Sequence, residues 1–288
     1  MKIISADWLV ICDENNSIIQ NGAVVFTDKI QEVDTLNNIE KKYPNIEIEK
    51  LAKNSVLMPG LINSHIHLEF SGNTTTLKYG NFYSWLNSVI KHREDLISKA
   101  NTKLILSKLS KMKRTGTTTI GAISSYSFDL DACVKSPLNK VFFCEVIGTK
   151  GDMIDTLFAD FKDRLNIAKK YKSANFIPAI AIHSPYSVHP FLVRETLKLA
   201  REENLPVTSH FLESREEFEW LHKDEGAFVE FFKNFLGQEQ SVTKPMEFLN
   251  LFSNIKNLSF THCVEASSAD FDKIKLLGAS VNHCVTSN

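Results

Sequence analysis

After Pro59 the sequence alternates between short apolar stretches and amphipathic patterns, and this alternation constrains the fold more than any other feature. Seven stretches predict β-strands that are apolar almost throughout, as strands buried on both faces of a parallel sheet are. Helical patterns lie between them, for example at 81–97, 153–171 and 190–203. Seven successive β-then-α units predict an α/β fold, either a (β/α)8 TIM-like barrel or a doubly wound sheet.

Residues 1–54 differ from the rest, because they predict only short strands with turn residues between them. The Asn21-Gly22 pair is a typical hairpin signal. This segment carries too little apolar surface to form a core of its own. We therefore expect a small N-terminal β unit that packs against other parts of the chain.

The positions of the histidines favour the barrel. Six of the nine histidines lie at or next to the carboxyl ends of predicted strands. In a barrel these strand ends meet at one rim, where active sites assemble from several strands. The six are His65, His67, His183, His210, His262 and His283.

The pair His65 and His67 predicts a metal site. In a strand, residues i and i+2 point to the same face, so both imidazoles leave the backbone on one side. His210, at the end of another predicted strand, supplies a third nitrogen. Three neutral imidazoles suit a divalent ion that keeps one position open for water. The alternative for an isolated His-x-His is two solvated histidines at a strand end.

Three further residues are candidates for the chemistry around such an ion. Glu213 follows His210 by three residues, where a carboxylate can take a proton from water and pass it to a substrate. Its structural alternative is an acid in the first turn of a helix. For His262 the alternative is a hydrogen-bonded core histidine, and for His183 it is a loop or capping residue.

Charge and cysteine content exclude several classes of partner. The 33 basic and 34 acidic residues leave a net charge of −1 without blocks of one sign, so we expect neither nucleic acid nor a membrane surface as partner. The N-terminus does not resemble a signal peptide, and no apolar run is long enough to span a bilayer. Five scattered cysteines indicate reduced thiols and a cytoplasmic protein.

The ordered motifs "VLMPGLINSHIHLEFS", "TGTTTI", "AIHSPYSV", "TSHFLES" and "THCVE" resemble those of the amidohydrolase superfamily. The resemblance covers nearly the whole chain and lies nearest to the branch of adenine, cytosine and guanine-type deaminases and chlorohydrolases. It implies that His65, His67 and His210 bind one divalent metal ion. It also implies that Glu213 is the proton shuttle and that His262 orients the hydrolytic water.

The resemblance also suggests a nucleoside substrate. It implies that His183 contacts the nucleoside or its ring. The "NFYSWLNSVIKHRE" segment is similar to nucleoside deaminases, in which this helix lines the pocket with Trp85 and a carboxylate at Glu94 meets the ribose hydroxyls. "HLEFS" beside "FYSWL" looks most like deaminases of 6-amino-6-deoxyfutalosine in menaquinone biosynthesis. The structural alternatives are a core aromatic for Trp85 and a solvated helix acid for Glu94.

Two departures from the family pattern matter. The family's aspartate ligand ends the eighth barrel strand, and this sequence ends at "SVNHCVTSN" in its seventh unit. We therefore expect residues 55–288 to form a hydrolase barrel truncated before strand 8, and residues 1–54 a β-sandwich portion whose remaining strands are absent. The lysine that bridges two metals in some relatives is missing after "AIAIHS", which predicts a single ion.

The expected function is hydrolytic deamination of an aminated purine nucleoside with water, by a cytoplasmic, zinc-dependent homodimer. Iron or manganese would also suit such a nitrogen-rich site. The enzymatic alternatives are deamination of S-adenosylhomocysteine, adenosine, cytosine or guanine, and chlorohydrolysis. The non-enzymatic alternative is a degenerate metal-binding scaffold.

Overall fold

The computed structural model describes residues 1–286, and the chain divides into two compact units, Met1–Leu61 and Ile62–Asn288. Strand β5, at Val56–Leu57, pairs with the first strand of the chain. The first unit therefore extends beyond residue 54. Among the described residues, no helix has both the length and the apolar character needed to cross a bilayer.

The first unit is built on a five-stranded sheet in the order β3-β2-β1-β4, with β5 also paired to β1. Strands β1 to β3 are antiparallel neighbours, whereas β4 and β5 run parallel to β1. The sequence did not predict the helix α1, in which Ile39 is fully buried in a small apolar cluster. The elements are β1 Lys2–Val10, β2 Ile18–Phe26, β3 Ile30–Thr35, α1 Leu36–Lys42, β4 Ile48–Lys50 and β5 Val56–Leu57.

The hairpin predicted at Asn21-Gly22 is wrong, because both residues lie inside β2. Asn21 has a φ of 47° and interrupts the ladder, while the pairing with β1 keeps its register on either side. A Cβ at Gly22 would lie 2.6 Å from the Cβ of Leu9. In β2 the pair permits an irregularity at Asn21 and a close approach of two backbones at Gly22. Both features favour the same residue types as a tight turn does.

The second unit contains a seven-stranded sheet whose strands are neighbours in chain order. Strands β7 to β12 pair in parallel along this order. Together with the intervening helices, this arrangement confirms the α/β, TIM-like barrel class. The strands are β6 Leu61–Ile66, β7 Thr117–Ser124, β8 Asn139–Val146, β9 Phe176–Ile182, β10 Val207–Phe211, β11 Leu258–His262 and β12 Ser280–Asn282.

The helices between these strands match the apolar stripes in the sequence where those stripes are long. The helix predicted at 190–203 is confirmed, with Pro190 in its first turn and the left-handed residue Asn204 at its end. The helices are α2 Phe82–Lys99, α3 Thr102–Arg114, α4 Leu130–Lys135, α5 Ile154–Lys169, α6 Pro190–Glu203, α7 Arg215–Lys223, α8 Ala227–Leu236, α9 Pro245–Asn250 and α10 Ser268–Leu276.

Strand β6, which carries His65, lies close against β7 at one glycine. A Cβ at Gly121 would overlap the carbonyl oxygen of Ser64. Only glycine permits this approach, since any side chain would push the two strands apart. Gly121 therefore fixes the position of the strand that precedes the candidate site.

Candidate metal centre

The histidines at the strand ends converge as parallel strands predict. His65 lies near the end of β6 and His67 directly follows that strand. His210 and His262 occupy the ends of β10 and β11, and His183 follows β9. Because the carboxyl ends of parallel strands share one edge of the sheet, side chains distant in sequence meet there.

Three ring nitrogens form a nearly equilateral triangle. The Nε2 atoms of His65, His67 and His210 are each 3.2 Å from the other two. A tetrahedral zinc ion with bonds of about 2.0–2.1 Å separates its nitrogen ligands by about 3.3–3.4 Å. The donor set and its spacing therefore fit a single divalent ion.

Contacts at Nδ1 of His210 and of His65 lie on the side of each ring opposite Nε2. A proton on Nδ1 leaves Nε2 free to bind a metal ion. The Nδ1 atom of His210 lies 2.6 Å from the backbone oxygen of His183, so Nδ1 carries the proton and donates it. The lone pair of Nε2 then faces the centre of the triangle. Nδ1 of His65 lies 3.4 Å from the hydroxyl of Thr261, near the end of β11.

Burial keeps these histidines neutral. Loss of solvation lowers the pKa of His65 to about 2 and that of His67 to about 4, with smaller contributions from neighbouring histidines. The same cause lowers the pKa of His210 well below its ordinary value. Neutral imidazole is the form that binds a metal ion, so the site does not have to lose protons near neutral pH before binding.

Glu213 and His262 face each other beside the triangle. Oε1 of Glu213 lies 3.4 Å from Nε2 of His262, and both side chains are largely shielded from solvent. Ligand atoms of His262, His65 and His210 lie within 4.8 Å of one another. A carboxylate and an imidazole therefore lie where a water beside the ion could contact both.

Burial raises the pKa of Glu213 to about 8, and the nearby carboxylate of Glu217 adds to the rise. Oε2 of Glu217 accepts a 2.8 Å hydrogen bond from the backbone N–H of Glu213, and Oε1 accepts one of 3.1 Å from Leu212. Glu217 thus holds the turn that carries Glu213. A carboxyl group with a pKa near neutrality is suited to both accepting and giving a proton.

The backbone at the two strand ends is left-handed. Leu212, after β10, has a φ of 46°, and His262 and Cys263 have φ values of 75° and 54°. For residues other than glycine such a conformation costs of order 1–3 kcal/mol and persists where surrounding contacts hold it. The N–H of Cys263 donates to the oxygen of Phe211 at 2.8 Å, and that of Glu265 to Leu212 at 3.0 Å.

His183 lies at the edge of this group and not in the triangle. Its Nδ1 lies 2.6 Å from the hydroxyl of Ser187, and its ring centroid is 5.0 Å from that of His210. Burial lowers its pKa to about 3. A neutral ring in this position can contact a substrate, as the sequence predicts, without being required as a ligand.

Aromatic side chains from three separate segments continue from His183. The ring of Tyr186 lies 5.9 Å from His183 and 5.1 Å from Phe228 of α8. Phe228 in turn lies 6.1 Å from Phe82 of α2, and Phe82 lies 5.4 Å from Trp85. Trp85, a predicted substrate contact, therefore belongs to an aromatic series that begins at the metal centre.

Glu94, the other predicted substrate contact on α2, is exposed. Within residues 1–286 its carboxylate accepts no hydrogen bond and forms no ion pair. The structure therefore does not place Glu94 against the histidines. Its contact with a ribose stays a prediction, as does the substrate contact of Trp85.

Two buried carboxylates near the histidines were not among the predicted residues. Glu69, two residues beyond His67, accepts backbone hydrogen bonds from the loop that follows β7. Glu145, in β8, has Oε1 at 3.8 Å from Nδ1 of His210 and without a hydrogen-bond partner. Because His210 is neutral, this contact is not an ion pair. The sequence does carry a signal for them, since "HLEF" and "FFCEV" each place an acidic residue inside an apolar stretch. Such an acid is seldom buried without a partner.

Several known proteins are similar to this chain in sequence. The amidohydrolase family matches residues 56–288. The aminodeoxyfutalosine deaminase of a Nitratiruptor species is 46% identical over 94% of this chain and 67% of its own length. The adenosine deaminase of Helicobacter pylori is 31% identical over 95% of this chain and 66% of its own. This chain thus spans about two thirds of these relatives.

A solved structure is also similar. The crystal structure of Helicobacter pylori aminofutalosine deaminase in complex with methylthio-coformycin matches with a TM-score of 0.92 and 29% identity. The match covers 99% of this chain and 70% of that one.

Proposed function

The chain belongs to the amidohydrolase family, and from that premise we propose that it deaminates an aminated purine nucleoside, 6-amino-6-deoxyfutalosine, with water as co-substrate. The observation that carries the proposal is the 46% identity to an aminodeoxyfutalosine deaminase over 94% of the chain. The triangle of ring nitrogens beside Glu213 and His262 supplies the groups that such a reaction needs. The reaction belongs to menaquinone biosynthesis.

Members of this family typically depend on a divalent metal ion, and we propose that His65, His67 and His210 hold it. We favour zinc because the donors are three neutral nitrogens at tetrahedral spacing, although iron and manganese also accept such ligands. When bound, the ion makes a water molecule nucleophilic near neutral pH. The remaining steps fall to residues of the chain.

Glu213 is proposed as the proton carrier. As a carboxylate it takes a proton from the attacking water, and it then delivers that proton to the ring nitrogen next to the amino-bearing carbon. His262, 3.4 Å from Glu213, holds the water in line with that carbon. Attack makes the carbon tetrahedral, and its C–N bond breaks once Glu213 has carried the remaining proton of the water to the amino group. One water is consumed and one ammonia is released, with the carbonyl group left on the ring.

Substrate contacts are proposed on the same strand edge and on α2. His183 and Trp85 lie at the two ends of the aromatic series that also contains Tyr186. A planar base can pack against such rings. Glu94 is proposed to meet the ribose hydroxyls. We further propose a cytoplasmic homodimer that acts on the free nucleoside, without a nucleic acid or membrane partner.

Ammonia release by the full-length protein tests this function. The panel contains 6-amino-6-deoxyfutalosine, adenosine, S-adenosylhomocysteine, guanine and cytosine. We expect the first to give the highest kcat/KM and the two free bases the lowest. Adenosine is the second candidate, because the adenosine deaminase of Helicobacter pylori is 31% identical. A preference for guanine or cytosine would contradict the nucleoside proposal.

The variant Glu94→Ala tests the ribose contact separately. It should reduce kcat/KM for nucleosides more than for free bases, because a lost carboxylate leaves the sugar hydroxyls without their acceptor. The matched control is Asp95→Ala, which removes the neighbouring exposed carboxylate that pairs with Lys99. Equal effects of the two substitutions would assign Glu94 to the solvated face of α2.

A further inference from the structure

A buried carboxyl group lies on the outer side of one proposed metal ligand. The side chain of Glu145, near the end of β8, is fully shielded from solvent, and its Oε1 lies 3.8 Å from Nδ1 of His210. The other ring nitrogen of His210, Nε2, belongs to the triangle. The carboxyl group of Glu145 and the triangle therefore lie on opposite sides of the same ring.

Glu145 occupies this position at a cost to stability. The hydroxyl of Ser125 donates to its Oε2 at 2.6 Å, whereas Oε1 has no hydrogen-bond partner within residues 1–286. The neighbours of Glu145 in the strand, Cys144 and Val146, are buried apolar side chains. A buried polar oxygen without a hydrogen bond destabilises a folded protein. Such a local conflict is expected at functional sites more than elsewhere.

The proton on Nδ1 of His210 faces two acceptor oxygens. The backbone oxygen of His183 accepts it at 2.6 Å and also accepts the backbone N–H of His210 at 2.9 Å. These two hydrogen bonds fix the orientation of the ring. Oε1 of Glu145 lies beyond hydrogen-bond distance, but it adds negative potential on the same side of the ring.

Negative potential at Nδ1 strengthens Nε2 as a ligand. An acceptor beside one ring nitrogen keeps the proton there and raises the basicity of the other nitrogen. Loss of such a partner typically costs about 10- to 100-fold in metal affinity. Glu145 can therefore act on the proposed metal site without contacting the ion.

Two groups of hydrogen bonds hold Glu145 in place. Nη2 of Arg164, on α5, donates to the backbone oxygen of Glu145 at 2.9 Å, and Nε of the same guanidinium pairs with Asp160 at 2.8 Å. The second group begins at Ser125, which donates its hydroxyl to Glu145 and its backbone N–H to Glu69 at 2.9 Å. The carboxyl group is thus positioned by contacts that do not involve the histidines.

We propose that Glu145 is a positioning residue for the metal centre and raises the affinity for the divalent ion through His210. The inference rests on the proposed function, because it takes the same histidines as ligands. Glu145 itself contacts neither the ion nor the substrate. The competing role is structural, in which Glu145 only holds the loop after β7 through Ser125.

The two roles predict different results for Glu145→Met in the full-length protein. After removal of metal, competition with a chromophoric chelator measures zinc affinity, and urea unfolding measures the stability of the apo-protein. The Kd for zinc should rise by about 10- to 100-fold. The unfolding midpoint should stay at or above that of wild type, because the unpaired oxygen is gone and the half-buried Ser125 can turn its hydroxyl to water.

Glu145→Gln and a matched control complete the test. Glutamine keeps an oxygen that can face His210 and an amide that can meet Ser125, so its Kd should lie between those of wild type and Glu145→Met. The control, Lys140→Met, replaces another buried polar side chain of the same strand. Its Kd should equal that of wild type, because five residues of strand separate Lys140 from Glu145 by about 16 Å.

The outcomes separate the positioning role from the function on which it rests. An unchanged zinc Kd in Glu145→Met refutes the positioning role and leaves the deaminase function standing, and an equal rise of Kd in Lys140→Met does the same. A raised Kd with a lowered unfolding midpoint, not relieved by glutamine, assigns Glu145 to the structural role. If wild type binds no zinc, iron or manganese, the proposed metal centre fails and the positioning role with it.

Discussion

At the scale of single residues, the site brings neutral nitrogens and a weakened acid together. Burial lowers the pKa of His65 to about 2 and raises that of Glu213 to about 8. Both shifts have the same origin, since removal from water disfavours whichever form is charged. The same burial therefore prepares the histidines as ligands and the carboxyl group as a proton carrier.

Glu213→Gln should abolish most turnover without loss of metal. The amide has nearly the shape of the acid but cannot carry a proton, and loss of a positioned acid–base group typically costs about 10²–10⁴-fold. Steady-state ammonia release together with metal analysis of the purified variant measures both quantities.

The control for this substitution is Glu216→Gln, in the first turn of α7, the helix that begins two residues after Glu213. It should retain turnover close to wild type. A Glu213→Gln protein within a few-fold of wild type would reassign Glu213 to the helix terminus. A variant that also lost its metal would place Glu213 among the ligands.

At the scale of the elements, the contact between β6 and β7 sets the position of two proposed ligands, His65 and His67. Gly121→Ala should lower the free energy of unfolding by about 1–3 kcal/mol, because its Cβ would overlap the carbonyl oxygen of Ser64. Urea unfolding followed by circular dichroism measures the change. Because β6 must shift, metal affinity should fall as well.

Gly151→Ala is the matched control for that substitution. A Cβ at Gly151 would meet nothing closer than 3.9 Å, so its unfolding midpoint should remain near wild type. Equal stability of the two alanine variants would mean that β6 and β7 can separate without cost.

The turn from β10 to α7 should make stability depend on pH through Glu217. Burial raises the pKa of Glu217 from an ordinary 4.5 to about 7, so the folded state holds the proton more tightly than the unfolded state. The stability contributed by this proton is complete below about pH 4.5 and is lost as the pH rises through 7. The loss is on the order of 3 kcal/mol.

Glu217→Gln removes this titration and keeps a hydrogen-bond acceptor for the turn. The difference in unfolding free energy between variant and wild type should therefore shift in favour of the variant between pH 5 and 8. Urea unfolding curves at intervals of one pH unit measure this difference. A difference that is constant across this range would show that Glu217 titrates normally.

At the scale of the whole molecule, we expect metal binding and folding to be coupled. The proposed ligands meet only at the assembled strand ends, and the unfolded chain has no such arrangement. Chelation should therefore lower the Tm of wild type, since an ion at 1,000 times its Kd adds about 4 kcal/mol to stability. Thermal unfolding with and without a chelator measures the shift.

Two variants test whether the fall in Tm on chelation depends on the proposed ligands. His210→Ala should bind well below one equivalent of metal and show little change of Tm on chelation. His222→Ala, which changes an exposed histidine of α7, should behave as wild type. Stoichiometric metal in His210→Ala would contradict the proposed ligand set.

The sequence was informative where a pattern is local or repeated. Alternation of apolar strands and helices predicted the barrel class, and the strand-end positions of His65 and His210 predicted that they would meet. The hairpin predicted at Asn21-Gly22 was wrong, because turns and strand irregularities favour the same residue types. Glu69 and Glu145 were missed because their partners lie 20 to 59 residues away in sequence.

The proposed ligands and two of the proposed substrate contacts belong to different segments of the chain. The proposed ligands and His183 lie on or directly after strands of the sheet, whereas Trp85 and Glu94 lie on α2, in the connection between β6 and β7. Replacement of this helix, in evolution or by protein engineering, would change these contacts and leave the proposed metal ligands unchanged. A change of substrate in this scaffold would then require one exchanged connection and no new chemistry.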